Sequence, residues 1–128
     1  MPAAPEPVGP TSEVVALYGA AWLQPDEDAR RELLERVWAQ DGIYVDPTVV
    51  VHGREALVAH MGGFQERMAG HSLVLSTAVD EHHGRVRFGW QLLDPGGALL
   101  IDGQDFGELD DDGRLRRIVG FFGPPAPA

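Results

Sequence analysis

The apolar residues of this chain change their spacing at His71, and that change limits what it can fold into. Up to that point they recur at helical intervals; beyond it they alternate. "HSLVLSTAVD", "RVRFGWQLL", "ALLIDGQDFGEL" and "RLRRIVGFF" read as strands separated by "EHHG", "DPGG" and "DDDG", which are hairpin turn signals. Helices followed by an antiparallel meander define an α+β chain whose helices cover one face of a curved sheet.

The helical half reads as three segments. Thr11 or Ser12 can cap the first, with Glu13 favourable in its first turn. Around Tyr18, the residues Val14, Val15, Ala21 and Trp22 lie within about 60° at 100° per residue, so Tyr18 is central to an apolar face. After "QPD", Ala29, Leu33, Leu34, Val37 and Trp38 form the stripe of a second helix. "DG" then precedes a short strand, Ile43 to Asp46, and Pro47 separates it from another at Val49 to Val51. A third helix starts near Arg54, with Leu57, His60, Met61, Phe64 and Met68 at helical spacing. Gly62 and Gly63 weaken it by about 1 kcal/mol each relative to alanine.

The expected organisation is a Pro/Ala-rich tail over residues 1–10, one domain over 11–123, and a short tail over 124–128. A length of 128 residues suits one core. No apolar run reaches the ~18 residues of a membrane span, and the N-terminus lacks the features of a secretory signal, so a cytoplasmic protein is expected. Ten basic residues against twenty acidic ones give a net charge of −10, which argues against nucleic acid and anionic membranes as partners.

Composition also narrows the chemistry. There is no cysteine, no lysine and no asparagine, and no serine stands in a G-x-S-x-G elbow. Thiolate, Schiff-base and P-loop chemistry are therefore excluded. "DEHHGR" reads as a surface hairpin rather than a metal site, and "DDDG" as a turn rather than a calcium loop. Carboxylates, histidines, tyrosines and arginines remain.

Two carboxylates stand out. Alternation along "LLIDGQDFGEL" puts Asp105 on the apolar side with Leu99, Ile101, Gly103, Gly107 and Leu109. An aspartate there either finds donors or becomes neutral. If its apolar face meets that of the preceding strand, Phe88 and Trp90 lie close to it. Asp46, in "YVDP", either caps the turn at Pro47 or acts as a base; the sequence leaves both open. Tyr18 can equally be a core tyrosine with a satisfied hydroxyl. His60 sits on an apolar helical face, as a packed core histidine or a pocket acid/base.

Helix–helix–"YVDP"–helix–meander, closing in "GQDFGELDDDGRLRRIVGFFG", resembles the nuclear transport factor 2-like superfamily, in particular SnoaL-like and ketosteroid isomerase-like proteins. The resemblance spans about residues 12–123. It implies a conical barrel of curved, mixed, mainly antiparallel sheet wrapped around N-terminal helices, usually a homodimer, with a deep pocket for an apolar small molecule. It also implies roles: Asp46 as general base, with Tyr18 and a protonated Asp105 sharing a developing enolate oxygen. Trp22, His60, Met61, Phe64, Phe88 and Trp90 would line the pocket, with no cofactor and no metal. The activity implied is proton transfer beside a carbonyl. The alternatives are a polyketide-type cyclase or dehydratase using Asp105 with His60, and a non-catalytic binding or dimerisation module.

Overall fold

The computed structural model describes residues 10–128; the N-terminal tail expected over residues 1–10 lies outside them but for Pro10. Helix α1, Thr11–Leu23, begins directly after Pro10 and has no side-chain cap. Thr11 Oγ1 instead donates to Glu81 Oε1, which corrects the expectation that Thr11 or Ser12 caps this helix. Its buried residues are Val14, Val15, Tyr18, Ala21 and Trp22, the face expected around Tyr18. Helix α2, Glu27–Val37, is capped by Asp26, whose carboxylate accepts from the backbone N–H of Ala29 at 2.8 Å.

Trp38 belongs to the sheet rather than to the α2 stripe. It opens strand β1, Trp38–Asp46, which starts five residues before the expected Ile43. "DG" does not interrupt the chain. Pairing with the last strand shifts register between Trp38 and Ile43, and a Cβ on Gly42 would meet the Trp38 indole at 2.5 Å. A bulge containing glycine thus lets a large indole fold back on its own strand.

Strand β2, Val49–His52, returns along β1, and helix α3, Arg54–Arg67, follows. The first alternating segment divides into β3, Ser72–Leu75, and β4, Asp80–His82, because residues 76–79 leave the ladder. Thr77 Oγ1 there accepts from the N–H of Gly89, whose missing side chain makes room for Ser76 and Thr77. Strands β5, Arg85–Leu93, β6, Leu99–Leu109, and β7, Leu115–Phe122, complete the meander. His83 and Gly84, at φ 50° and 74°, form the two-residue turn between β4 and β5.

The seven strands form one sheet in the order β2-β1-β7-β6-β5-β3, with β4 beside β3 on β5. Only β1 and β7 pair in parallel. The curved sheet stays unclosed, and the three helices fill its concave side. Among the described residues no helix is long and apolar enough to cross a membrane.

Two buried arginines, Arg30 and Arg114, carry no signal in the sequence. Arg30 of α2 is 3% exposed and donates to the carbonyls of Gln24, Pro25 and Val58, tying the α1–α2 connection to α3. A Cβ on Gly62 would sit 2.8 Å from its Nη1, so that glycine in mid-helix is the space the guanidinium occupies. Met61, expected in the pocket, is fully buried in the core and does not reach the cavity.

Candidate active site

Between α1, α3 and the concave face of the sheet lies a cavity of about 640 Å³. Three adjacent strands shape its polar part. Asp105 on β6 pairs with Gly120 on β7, and the β1 register (Val45 opposite Val119) brings Asp46 alongside that glycine. A Cβ at position 120 would stand 2.8 Å from Asp105 Oδ1 and 3.7 Å from Asp46 Cβ. The two carboxylates therefore flank a gap in the sheet surface that a glycine keeps open.

Asp105 is 6% exposed. Its Oδ1 accepts from Trp90 Nε1 at 2.9 Å, and the indole reaches it by lying across Gly103, the residue opposite Trp90 in the register. Burial pushes the Asp105 carboxyl up to about 6; the Trp90 hydrogen bond opposes this and the nearby charge of Asp46 adds to it.

Asp46 is treated differently. Burial disfavours its charge, but four donors outweigh that and hold it below the usual carboxylate range. Oδ1 accepts from the N–H and hydroxyl of Thr48, both at 2.7 Å, and from the N–H of Val49 at 3.2 Å. Oδ2 accepts from Tyr44 Oη at 2.6 Å. Asp46 thus caps its turn and also lines the cavity.

Tyr44 had no assigned role. It stands two residues before Asp46, on the same face of β1, and strand alternation was the signal that could have found it. Burial raises its hydroxyl pKa above the ordinary tyrosine range, and the charged form of Tyr18 and the Asp46 contact act in the same sense.

Tyr18 lines the cavity with its ring, stacked on Trp38 at 5.6 Å and edge-on to Trp22 at 6.5 Å. Its hydroxyl is enclosed and has no hydrogen-bond partner. Burial, followed by the charge of Asp105, raises its pKa well above the ordinary value.

Trp22, His60, Phe64, Phe88 and Trp90 all line the cavity. His60 makes ring contacts with Trp22 at 5.7 Å and Tyr44 at 5.8 Å. Burial lowers its pKa, the charge of Asp46 opposes this and that of Arg67 reinforces it, so the imidazole is neutral at pH 7. Among the described residues no three histidine or carboxylate side chains are grouped to hold a metal ion.

No family model matches the sequence, and no curated protein does. Solved structures match closely. A candidate isomerase of the SnoaL-like family from Agrobacterium tumefaciens is 31% identical, with 88% of this chain and 96% of that one covered at a TM-score of 0.82. A candidate SnoaL-like polyketide cyclase from Jannaschia is 15% identical over 88% of this chain and 84% of that one, at a TM-score of 0.70. A protein of unknown function with a cystatin-like fold from Methylobium petroleophilum is 15% identical over 96% of this chain and 82% of that one, at 0.73. The last two share the fold alone. The first, by identity and coverage together, establishes that this chain belongs to the SnoaL-like family of the nuclear transport factor 2-like superfamily.

Proposed function

We propose that the protein is a cofactor-independent isomerase moving a proton beside the carbonyl of an apolar substrate. The observation that carries this reading is the division between its two carboxylates across Gly120. Asp46 is held ionised, while Asp105 is poised to keep its proton at about 6. Such a pair supplies a base and an acid within one apolar cavity.

In the reaction, Asp46 takes the proton from the carbon next to the carbonyl. The C–H electron pair moves into an enolate, and its negative charge develops on the carbonyl oxygen. Protonated Asp105 donates a hydrogen bond to that oxygen. Tyr18 supplies a second donor: its unpaired buried hydroxyl costs about 1–3 kcal/mol at rest, which a substrate oxygen within reach would relieve. Asp46 then returns the proton to the far carbon of the allylic system, and the double bond ends in conjugation. The 31% identical relative described as a candidate isomerase supports this reaction class.

The test is conversion of a β,γ-unsaturated ketone, a ketosteroid among them, followed in the ultraviolet as the conjugated product forms. Wild type should turn over and Asp46→Asn should lose at least about 100-fold, the usual scale of a removed general base. Equal rates in the two proteins would reject the mechanism.

A polyketide-type cyclase or dehydratase is the second reading. It is favoured by Asp105 titrating close to neutrality while His60 is an uncharged base in the same cavity. Under it, His60→Ala abolishes activity and Asp46→Asn does not. We further infer a homodimer, since Phe106 and Phe121 meet edge-on at 5.9 Å yet stay exposed on the outer face of the sheet. Light scattering of Phe121→Glu against wild type tests this; an unchanged mass in a folded variant would reject it.

A further inference from the structure

Arg67, at the end of α3, is the one arginine lining the cavity. Arg30 is bound by backbone carbonyls, and Arg31, Arg87 and Arg116 by carboxylates. Arg67 makes no ion pair and no hydrogen bond among the described residues. Its guanidinium folds back over the helix, where a Cβ on Gly63 would lie 3.2 Å from Nη1. That glycine, one turn earlier, gives the charged group its position at the cavity wall.

The surrounding charge makes this placement informative. A protein of net charge −10 repels anions, so an unpartnered cation at the wall of this apolar cavity locally reverses the field a ligand meets. Along α3, the cavity face runs from His60 through Phe64 to Arg67. His60 marks the Asp46 end through its contact with Tyr44, which itself donates to Asp46. Seven residues of helix separate the backbones of His60 and Arg67, about 10 Å, and the guanidinium, turned back to Gly63, closes part of that distance. Between the two polar ends, Phe64 supplies an apolar wall.

We propose that the cavity takes an apolar keto acid: its carboxylate pairs with Arg67, and its ketone lies at the other end of the cavity beside Asp46 and Asp105. The placement of the ketone rests on the isomerase reading; the recognition of the anion does not. Arg67 is thus a specificity residue that touches the far end of the substrate and takes no part in proton transfer.

The experiment measures binding, so its outcome is separate from turnover. An ω-(4-acetylphenyl)alkanoate, a keto acid with an apolar ring between its two polar ends, is titrated against its methyl ester. Quenching of tryptophan fluorescence reports occupancy, because Trp22 and Trp90 line the cavity. Wild type should prefer the carboxylate by about fivefold, the upper range for a solvent-accessible ion pair. Added salt should reduce the preference. Arg67→Gln should lose it while binding the ester as wild type does, which also shows that the variant is folded; Arg67→Lys should keep part of it. Equal affinity for acid and ester in wild type, or a preference surviving in Arg67→Gln, would overturn the proposal. A preference that depends on Arg67, with no turnover of the β,γ-unsaturated ketone, would uphold it and reject the isomerase reading. Turnover with no such preference would do the reverse.

Discussion

Tyr44 donates to Asp46 at 2.6 Å, so the carboxylate proposed as a base already holds a short hydrogen bond on Oδ2, the oxygen its turn does not use. Strand β1 creates this pair, since residues two apart share a face. The result is a base whose charge is secured and whose proton affinity is restrained. Desolvation by an apolar substrate acts in the opposite direction and raises that affinity when the substrate is bound.

Tyr44→Phe should therefore move the Asp46 pKa upward. The Tyr44 hydrogen bond favours the ionised form, and removing it withdraws that support. A carboxyl-carbon NMR titration of Asp46 in wild type and variant measures the shift directly. A pKa that stays in place or falls would show that Tyr44 does not govern the charge of Asp46.

For Asp105 the sign of the pH effect reverses, because its native pKa, about 6, lies above the ordinary carboxylate value. A carboxyl raised on folding favours the folded state when it is protonated. That contribution is complete below about pH 4 and disappears as pH rises through about 6, a difference of about 3 kcal/mol. Asp105→Asn can still accept from Trp90 and carries no charge to bury. Its stability relative to wild type should therefore improve between pH 4 and pH 7, measured by urea unfolding. Wild-type kcat/KM should fall above about pH 6, and the variant should lose that dependence. A stability difference independent of pH would contradict the assigned pKa.

The two adjacent glycines of α3 should respond to alanine in opposite ways. Alanine gains about 1 kcal/mol of helix propensity at either position. At Gly62 the new methyl would meet the fixed, buried Arg30 guanidinium at 2.8 Å; at Gly63 it meets only the movable end of Arg67 at 3.2 Å. Overpacking against a fixed group costs about 1–3 kcal/mol. Gly62→Ala should thus lower the unfolding midpoint and Gly63→Ala should leave it equal or raised. A rise in both would mean that Arg30 is free to move.

Much of this was legible in the sequence, for identifiable reasons. The face of α1 around Tyr18 followed from helical spacing, and Asp105 among Ile101, Gly103 and Gly107 followed from strand alternation. Trp38 was misplaced because its apolar spacing continues that of α2, while the β1 bulge at Gly42 that actually places it depends on pairing with a strand some seventy residues away. Arg30 escaped notice because an arginine on a helix reads as solvated until its carbonyl partners are known. The gap between Asp46 and Asp105 was equally hidden. It arises from a parallel pairing of β1 with β7, and no local pattern announces which strands meet.

Gly120 provides the most direct test of that gap. Alanine there places a methyl 2.8 Å from Asp105 Oδ1, inside the space between the two carboxylates. Strand backbone accepts alanine readily, so the change is felt mainly at the cavity surface, where Asp105 must shift or the substrate must sit higher. A misplacement of about 1 Å in a reacting group can cost on the order of 100-fold in rate. Gly120→Ala should therefore lower kcat/KM by at least about tenfold and cost no more than about 3 kcal/mol in urea unfolding. A parallel titration with the methyl ω-(4-acetylphenyl)alkanoate should show whether the ketone still enters. Full activity in a stable Gly120→Ala protein would place the reaction elsewhere in the cavity and remove the two carboxylates from its centre.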